Sequence, residues 1–339
     1  MRGARWAYSR RLCNGIDLGG YDLDLHIVAL FVVLVSSLVG VLLPLVCSSV
    51  MRGDVFANVF FAAKHFGTGV IVATAFVHLL YHSFVMFANA CLGELVFEPA
   101  AAAIAMAGTY VVFAVDFFVM RWLKSRGEKR AASTATSLLD DPTHSPPSSE
   151  TEKKLDLGHG CTHADFSSPQ AHFDVLILEA GIMFHSIMIG VSLGASGGSQ
   201  WTPLFIAVVF HQLFEGLALG SRIGQLVWPK SQWGRKWIMA GAFGLITPIG
   251  VGIGIGVHAA YNPNSGAALL SIGVLDSISA GILIYAGLVE MLAHDFMQGE
   301  LAHAHWPRVA TAFFFLLAGT LCMVKLKKML SDLHRIKAG

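Results

Sequence analysis

Charged residues are scarce in this sequence of 339 residues: Asp, Glu, Lys and Arg make up 13% of it, whereas a soluble domain carries about 25%. The hydrophobic share is 55%, and the mean hydropathy is +0.62. The charges are clustered, so long stretches carry none, which is typical of a membrane protein with several spans. A basic patch interleaved with aromatic residues is also absent, so we expect no nucleic-acid partner.

The sequence lacks the HExxH motif of zinc-dependent hydrolases as well. Acidic residues that could serve as a general base are sparse. Both absences argue against an enzyme, although they leave open an intramembrane hydrolase that holds Zn²⁺ with histidines from several helices.

A membrane-spanning helix needs about 20 consecutive apolar residues. The sequence offers eight such runs, at 25–47, 59–81, 99–122, 173–195, 202–221, 237–258, 267–292 and 307–329. None has the pattern of a barrel strand, so we predict an all-α polytopic membrane protein with eight transmembrane helices. Helices 1–3 fall within residues 25–122, and helices 4–8 fall within residues 173–329.

Lysine and arginine predict the orientation, because the loops that carry them stay cytoplasmic. The connections after spans 2, 4 and 6 contain neither residue, whereas basic residues lie in or beside the connections after spans 1, 3, 5 and 7. This alternation places both termini outside, with residues 1–24 as an extracellular tail. The C-terminal tail, 330–339, is itself basic and favours the opposite side, so its location stays open.

The five cysteines are scattered and form no CxxC pair. In the predicted orientation Cys13 and Cys91 both face the outside, where the environment is compatible with a disulfide between them. Two cysteines are weak evidence, so this pairing stays open too.

Residues 123–172 form the one long connection, and they are rich in Ser, Thr, Pro, Lys and Glu. Such a composition cannot bury enough apolar surface to fold alone, so we predict a disordered cytoplasmic loop between helices 3 and 4. His159, Cys161 and His163 lie together in this loop and could bind a metal weakly. A solvated linker that carries these residues by chance is an equally good interpretation.

Glycines mark the last third of the chain, where GVGIGIG occupies residues 250–256. Gly250 and Gly254, like Gly252 and Gly256, are four residues apart, a spacing that lets helices approach closely. Pro248 precedes them, and it predicts a kink or break in span 6.

Span 5 carries a histidine and a carboxylate in its apolar middle, although ionisable groups at this depth are costly and default to a functional role. His211 and Glu215 are four residues apart, so they share one helix face and can chelate one divalent cation. His185, in the middle of span 4, adds a third ligand from a neighbouring helix, and Ser186 and Gln212 can assist. Imidazole and carboxylate suit Zn²⁺, and also Fe²⁺ or Mn²⁺.

Other ionisable residues in the spans are candidates for a pathway to this site: His78, His82, Glu179 and Asp276. His78 lies inside the apolar run of span 2 and is the best candidate for the outer part of a path. Glu290, His294 and Asp295 fall near the predicted end of span 7, where solvation can explain them.

Four stretches resemble the ZIP zinc/iron permease family. They are FHSIMIGVSLG in span 4, HQLFEGLALG in span 5, ATAFVHLLYHSF in span 2 and LDSISAGILIYAGLVEMLAHDF in span 7. The resemblance extends over all eight spans, points to the eukaryotic plasma-membrane branch, and is greatest for the fungal zinc-regulated members. It implies outward termini, a long cytoplasmic loop after helix 3, and a metal site between helices 4 and 5.

The resemblance further implies an importer of Zn²⁺, and in some members of Fe²⁺ or Mn²⁺, that works by an elevator-like movement. The metal is then the transported substrate, and no cofactor is expected. His185, His211 and Glu215 match the positions of the family's primary site. Ile189 and Thr247 stand where some members have further carboxylates, so we expect one principal metal. A homodimer in the plasma membrane, and regulated ubiquitination of the 123–172 loop, are further expectations.

A third interpretation is a metal sensor that never transports and uses the 123–172 loop as its output. Transport, intramembrane hydrolysis and sensing all need the same His and Glu ligands, so the spacing alone does not separate them.

Overall fold

The structure is a computed structural model, and it describes residues 21–50, 54–92, 97–139, 169–198, 201–258 and 265–338. Throughout these segments the chain is helical and has no strand. Eight of the helices are long and apolar enough to cross a membrane, which confirms the predicted fold class.

We number the eight long helical units α1 to α8. They are α1 (Leu23–Val50), α2 (Asp54–Ala73, Thr74–Leu80 and Tyr81–Phe87), α3 (Ala100–Leu139), α4 (Pro169–Ala195), α5 (Trp201–Gln225), α6 (Trp233–Val257), α7 (Gly266–Tyr285 and Ala286–Gln298) and α8 (Trp306–Ala338). The middle segment of α2 and the second segment of α7 are π-helical, with wider turns than an α-helix. Such turns are frequent at functional sites, and both lie beside the polar groups described below.

Two helices extend far beyond their predicted C-terminal ends. Helix α3 continues to Leu139, beyond the predicted end at 122, and α4 begins at Pro169, so 123–139 and 169–172 of the predicted disordered loop are helical. Helix α8 continues to Ala338 and so includes 330–338 of the predicted tail. The α3 extension is rich in Lys, Arg and Ala, and the α8 extension contains Leu, Lys and Arg; these residues favour a helix even where no apolar face is present.

Of the kink or break predicted at Pro248, the break is wrong, because α6 runs through Pro248 as one continuous helix. Transmembrane helices tolerate proline where neighbouring helices cover the backbone. Here Gly190 of α4 packs directly on the carbonyl oxygen of Thr247, which lies 2.4 Å from the position that a Cβ on Gly190 would take.

The helices pack as two units of four. Helix α6 packs on α4 and α1, and α1 packs on α5, so that these four form the α1–α4–α5–α6 unit. Glycines make the closest approaches: Gly190 and Gly194 meet Gly250 and Gly254, as the predicted spacing requires. In contrast, Gly252 and Gly256 contribute no tight contact.

Helices α2, α3, α7 and α8 form the second unit, in which α2 packs on α8 and α3 on α7. Gly319 of α8 lies against the backbone of Phe66, and Gly281 of α7 lies against the backbone of Ala105. The two units meet where α5 packs on α2 and α4 packs on α7. The polar residues of α4 and α5 therefore face those of α2 and α7.

Helices α4 and α5 are neighbours, as their short connection predicts, but each packs more extensively on another helix. Near the start of α1, the Tyr21 hydroxyl donates to the carbonyl of Gly194, which ties this end of the chain to α4. Cys91 is disulfide-bonded, whereas Cys47 and Cys322 are free thiols. Cys13, its predicted partner, lies outside the described residues.

Candidate metal centre

Three histidines from three helices converge at the interface between the two units. The ring of His78 lies 5.2 Å from that of His185 and 5.0 Å from that of His211, measured between centroids. One potential ligand nitrogen of each lies within 4.8 Å of the others. His78, which belongs to the π-helical segment of α2, is therefore part of the histidine cluster itself and does not lie further out along a path to it.

Glu215 completes the cluster from one turn further along α5. Its Oε1 lies 3.2 Å from Nε2 of His211, and the side chain is entirely buried. This contact lacks hydrogen-bond geometry, so neither carboxylate oxygen and neither Nε2 atom, of His185 or of His211, has a hydrogen-bond partner. Buried polar atoms normally have hydrogen-bond partners, so four potential metal-ligand atoms without such partners in one place indicate that a cation fits there.

Ser186 and Gln212, the two predicted assisting residues, are buried beside this cluster. The Ser186 hydroxyl has no hydrogen-bond partner. The Gln212 amide nitrogen donates to the hydroxyls of Thr247, at 2.5 Å, and Ser37, at 3.1 Å. An uncharged amide and two hydroxyls therefore meet here, where α5 contacts α1 and α6.

Asp276 of α7 contacts two imidazoles, those of His82 and His185. Its Oδ2 is 2.6 Å from Nδ1 of His82, and its Oδ1 is 3.4 Å from Nδ1 of His185. Asp276 is a buried residue, whereas 43% of the His82 side chain is exposed. Two of the predicted pathway residues are thus bonded to one another next to the cluster.

A cavity of about 220 Å³ reaches the cluster from one side. His78, His82, His185, His211 and Asp276 are among its lining residues. On α4 and α5 the lining extends to Ser192 and Leu204, toward the connection between these helices. That connection lies outside in the predicted orientation.

On the opposite side of the cluster the helices are closed by buried charges. Asp295 of α7 accepts from Lys64 of α2 at 2.7 Å and from Arg222 of α5 at 2.8 Å. Arg222 also donates to the Thr68 hydroxyl at 2.8 Å. We call these four residues the Asp295 cluster. Solvation near the membrane surface does not explain Asp295, because only 3% of its side chain is exposed.

Glu179 is buried on α4 but does not line the cavity. Three other carboxylates, those of Asp116, Asp174 and Glu290, come within 4.8 Å of one another, and the Tyr285 hydroxyl donates to Asp116 at 2.8 Å. The predicted metal-handling residues His159, Cys161 and His163 lie outside the described residues.

Sequence reasoning identified His185, His211 and Glu215 from spacing, but it missed the Asp295 cluster. Arg222 and Asp295 are far apart along the chain, and no local pattern pairs them. The apolar context of Lys64 inside span 2 was the available signal, because an intramembrane lysine needs a partner.

The stretch GVSLG, residues 190–194, matches the GxSxG motif of serine hydrolases by its letters. That motif works on a sharp turn between a strand and a helix, where the serine is exposed. Here Ser192 lies within α4, so this geometry is absent and the match carries no hydrolase chemistry.

The model of the ZIP zinc transporter family matches residues 23–327 of the chain. A zinc-regulated transporter 1 of Saccharomyces cerevisiae is 36% identical, over 84% of this chain and 82% of the relative. A zinc-regulated transporter 1 of Candida albicans is 38% identical over 89% of this chain, which spans 60% of that longer relative. An Fe(2+) transport protein 1 of Arabidopsis thaliana is 33% identical over 82% of the chain and 78% of the relative.

These matches extend over most of the chain and exceed 30% identity. They agree with eight apolar helices that surround buried imidazole and carboxylate groups. The chain therefore belongs to the ZIP zinc transporter family: it is a multi-pass membrane protein that transports divalent metal ions, and not an enzyme.

Proposed function

We propose that this transporter imports Zn²⁺ into the cytoplasm, with Fe²⁺ or Mn²⁺ as further substrates, through a site formed by His78, His185, His211 and Glu215. The observation that carries the proposal is the set of orphaned, buried donor atoms at the end of the cavity. Three neutral imidazoles and one carboxylate leave a divalent cation partly neutralised. Binding of this kind is favourable enough for entry and weak enough for release.

The ligand types restrict the metal but do not choose one. Nitrogen and oxygen ligands suit Zn²⁺, Fe²⁺ and Mn²⁺, whereas no thiolate of a described cysteine is in the cluster to favour a softer ion. The relatives include proteins named for zinc and for Fe(2+). Ser186 and Gln212 would assist the bound ion, and the neutral Gln212–Thr247 pair supports a single metal in the centre.

Alternating access needs two units that can move against each other, an opening on one side and a closure on the other. The two helical units, the cavity and the Asp295 cluster match these needs. His185, His211 and Glu215 belong to the α1–α4–α5–α6 unit, whereas His78 belongs to the other. We propose that the ion enters past His82 and His78 while the cavity is open. The α1–α4–α5–α6 unit then moves relative to its partner, the Asp295 cluster opens, and the ion leaves on that side.

We further propose the plasma membrane as the location, with both termini outside and the Asp295 cluster toward the cytoplasm. The distribution of Lys and Arg between the connections supports this orientation. The 123–172 loop would then be cytoplasmic, where His159, Cys161 and His163 could take up released metal and its lysines could accept ubiquitin. Formation of a homodimer belongs to the same proposal.

The test is uptake of radiolabelled zinc into zinc-starved cells that lack their own importers. The native chain is compared with Glu215→Gln and His211→Ala, and with the matched exposed controls Glu98→Gln and His303→Ala. We expect saturable uptake that only the two site variants lose at equal surface amount. Competition by unlabelled Fe²⁺ and Mn²⁺ ranks the metals. Normal zinc uptake by Glu215→Gln would contradict the proposed site.

A further inference from the structure

Asp276 occupies an unusual position between the two units. One of its oxygens faces a ring of its own unit, Nδ1 of His82 on α2, at 2.6 Å. The other faces a ring of the opposite unit, Nδ1 of His185 on α4, at 3.4 Å. The residue is only 2% exposed, so water does not compete strongly for these two contacts.

A carboxylate only accepts hydrogen bonds, so each Nδ1 that faces it must carry the proton. The lone pair of each imidazole is then on Nε2. For His185 this is the atom that lies in the cluster without a hydrogen-bond partner. Carboxylates that accept from the far nitrogen of a metal-binding histidine fix its tautomer and ring orientation in this way.

Asp276 orients the ring of His82 in the same way, but nearer the cavity mouth. The His82 ring stacks nearly parallel to that of His78, which lies one helical turn further in, with a centroid distance of 6.3 Å. Its side chain is 43% exposed, and the residue lines the cavity. One carboxylate therefore orients an inner ring, within the cluster, and an outer ring, toward the cavity mouth.

The contact within the unit is held more firmly than the contact between the units. Near Asp276 the hydroxyls of Ser83 on α2 and Ser277 on α7 both donate to the carbonyl of Gly273. The Ser83 hydroxyl, which also lies within hydrogen-bond distance of the Ser277 hydroxyl, fastens α2 to α7 and so holds His82 against Asp276. The contact of Asp276 with His185 of α4 is longer, at 3.4 Å, so His185 can leave Asp276 more readily when its unit moves.

We infer that Asp276 is a positioning residue that presents Nε2 of both His82 and His185 to the incoming divalent cation in the cavity-open state. The inference rests on the proposed function, since it assigns a role relative to that metal site. Asp276 itself does not touch the ion. It keeps an outer histidine ready for capture and an inner histidine ready for ligation.

Replacement of Asp276 by Asn tests this directly, because an amide has one acceptor and one donor. It can satisfy only one Nδ1–H, and it offers its NH₂ to the other ring, which must then accept at Nδ1 and protonate Nε2. One of the two imidazoles is thereby lost as a ligand. Asp276→Glu keeps two acceptor oxygens and should preserve both tautomers. Ser279→Ala, which removes another buried hydroxyl of α7, controls for packing.

The purified full-length chain in detergent is titrated with Co²⁺, whose visible absorption reports its ligands, and with Zn²⁺ in competition. For Asp276→Asn we expect about 10–100-fold weaker binding, as for other outer-shell partners, and a changed Co²⁺ spectrum. For Asp276→Glu we expect the native spectrum. Nε2-protonated His82 or His185 in ¹⁵N-histidine spectra of the metal-free Asn variant would support the same conclusion.

Native affinity and a native Co²⁺ spectrum in folded Asp276→Asn would overturn the inference and leave the proposed function standing. If Asp276→Asn does not fold, a changed spectrum in folded Asp276→Glu would overturn it, and a native one would support it. Failure of the native chain to bind either ion would overturn the proposed function itself.

Discussion

The guanidinium of Arg222 lies 2.8 Å from the carboxylate of Asp295, across the boundary between the two helical units. The pair is buried, and Lys64 holds the second oxygen of Asp295 from within the α2–α3–α7–α8 unit. The proposed movement of the α1–α4–α5–α6 unit would therefore separate Arg222 from Asp295, whereas Lys64 would remain with it. The carboxylate would then keep one cation in both states.

This arrangement predicts unequal effects for the two sides of the ion pair. Removing the carboxylate with Asp295→Asn leaves the buried Arg222 without its charge partner and also removes the bond to Lys64; loss of one partner of a buried ion pair typically costs about 3–5 kcal/mol. Arg222→Gln leaves Asp295 paired with Lys64, so we expect a clearly smaller loss. Thermal unfolding of the purified variants measures the difference, with exposed Arg235→Gln as the control. Equal destabilisation by Arg222→Gln and Asp295→Asn would contradict this account.

The position of His78 within the cluster leads to a second prediction. His78→Ala removes a ligand, so we expect it to weaken Zn²⁺ binding by more than the roughly 10–100-fold that loss of an outer-shell partner costs. His82→Ala should have a smaller effect on affinity, because His82 is not one of the three histidines whose nitrogens converge. Competition titration of the purified variants decides the order, and a larger effect of His82→Ala would place the site nearer the cavity mouth.

The neutral contact between Gln212 and Thr247 predicts one metal ion in the membrane centre. After equilibrium dialysis against Zn²⁺, we expect one ion per chain when His159, Cys161 and His163 have been changed to serine. Thr247→Asp adds the missing negative charge beside Gln212 and should raise the number toward two. Elemental analysis counts the ions, and two per chain without Thr247→Asp would show that the amide and hydroxyls suffice.

Glycine packing between α4 and α6 predicts a contrast in stability. A methyl group at Gly190 would lie 2.4 Å from the carbonyl oxygen of Thr247, whereas at Gly256 nothing lies within 4 Å. Gly190→Ala should therefore destabilise the protein by about 1–3 kcal/mol, the usual range for overpacking. Gly256→Ala should be neutral or slightly stabilising, since alanine favours a helix. Thermal unfolding compares them, and tolerance of Gly190→Ala would mean that α4 and α6 can separate.

Much of the fold follows from local properties of the sequence. The lengths of the apolar runs determine the number of spans, because each crossing must satisfy its backbone within one helix. The spacing of His211 and Glu215 places both on one face for the same local reason. The ends of several helices, most of all those of α3 and α8, and the course of α6 through Pro248 differ from the prediction. There neighbouring charges or packing outweigh the apolar pattern.

The partners of those residues were decided by tertiary structure alone. His78 joins His185 and His211 because α2 packs on α5 at the level of its π-helical segment, and no periodicity in one helix reveals that depth. Asp276 reaches His82 and His185, and Asp295 reaches Lys64 and Arg222, only because α7 contacts both α2 and the α1–α4–α5–α6 unit. The sequence by itself determined which polar groups enter the membrane. Helix packing decided which of them meet, because these contacts join residues that are far apart along the chain.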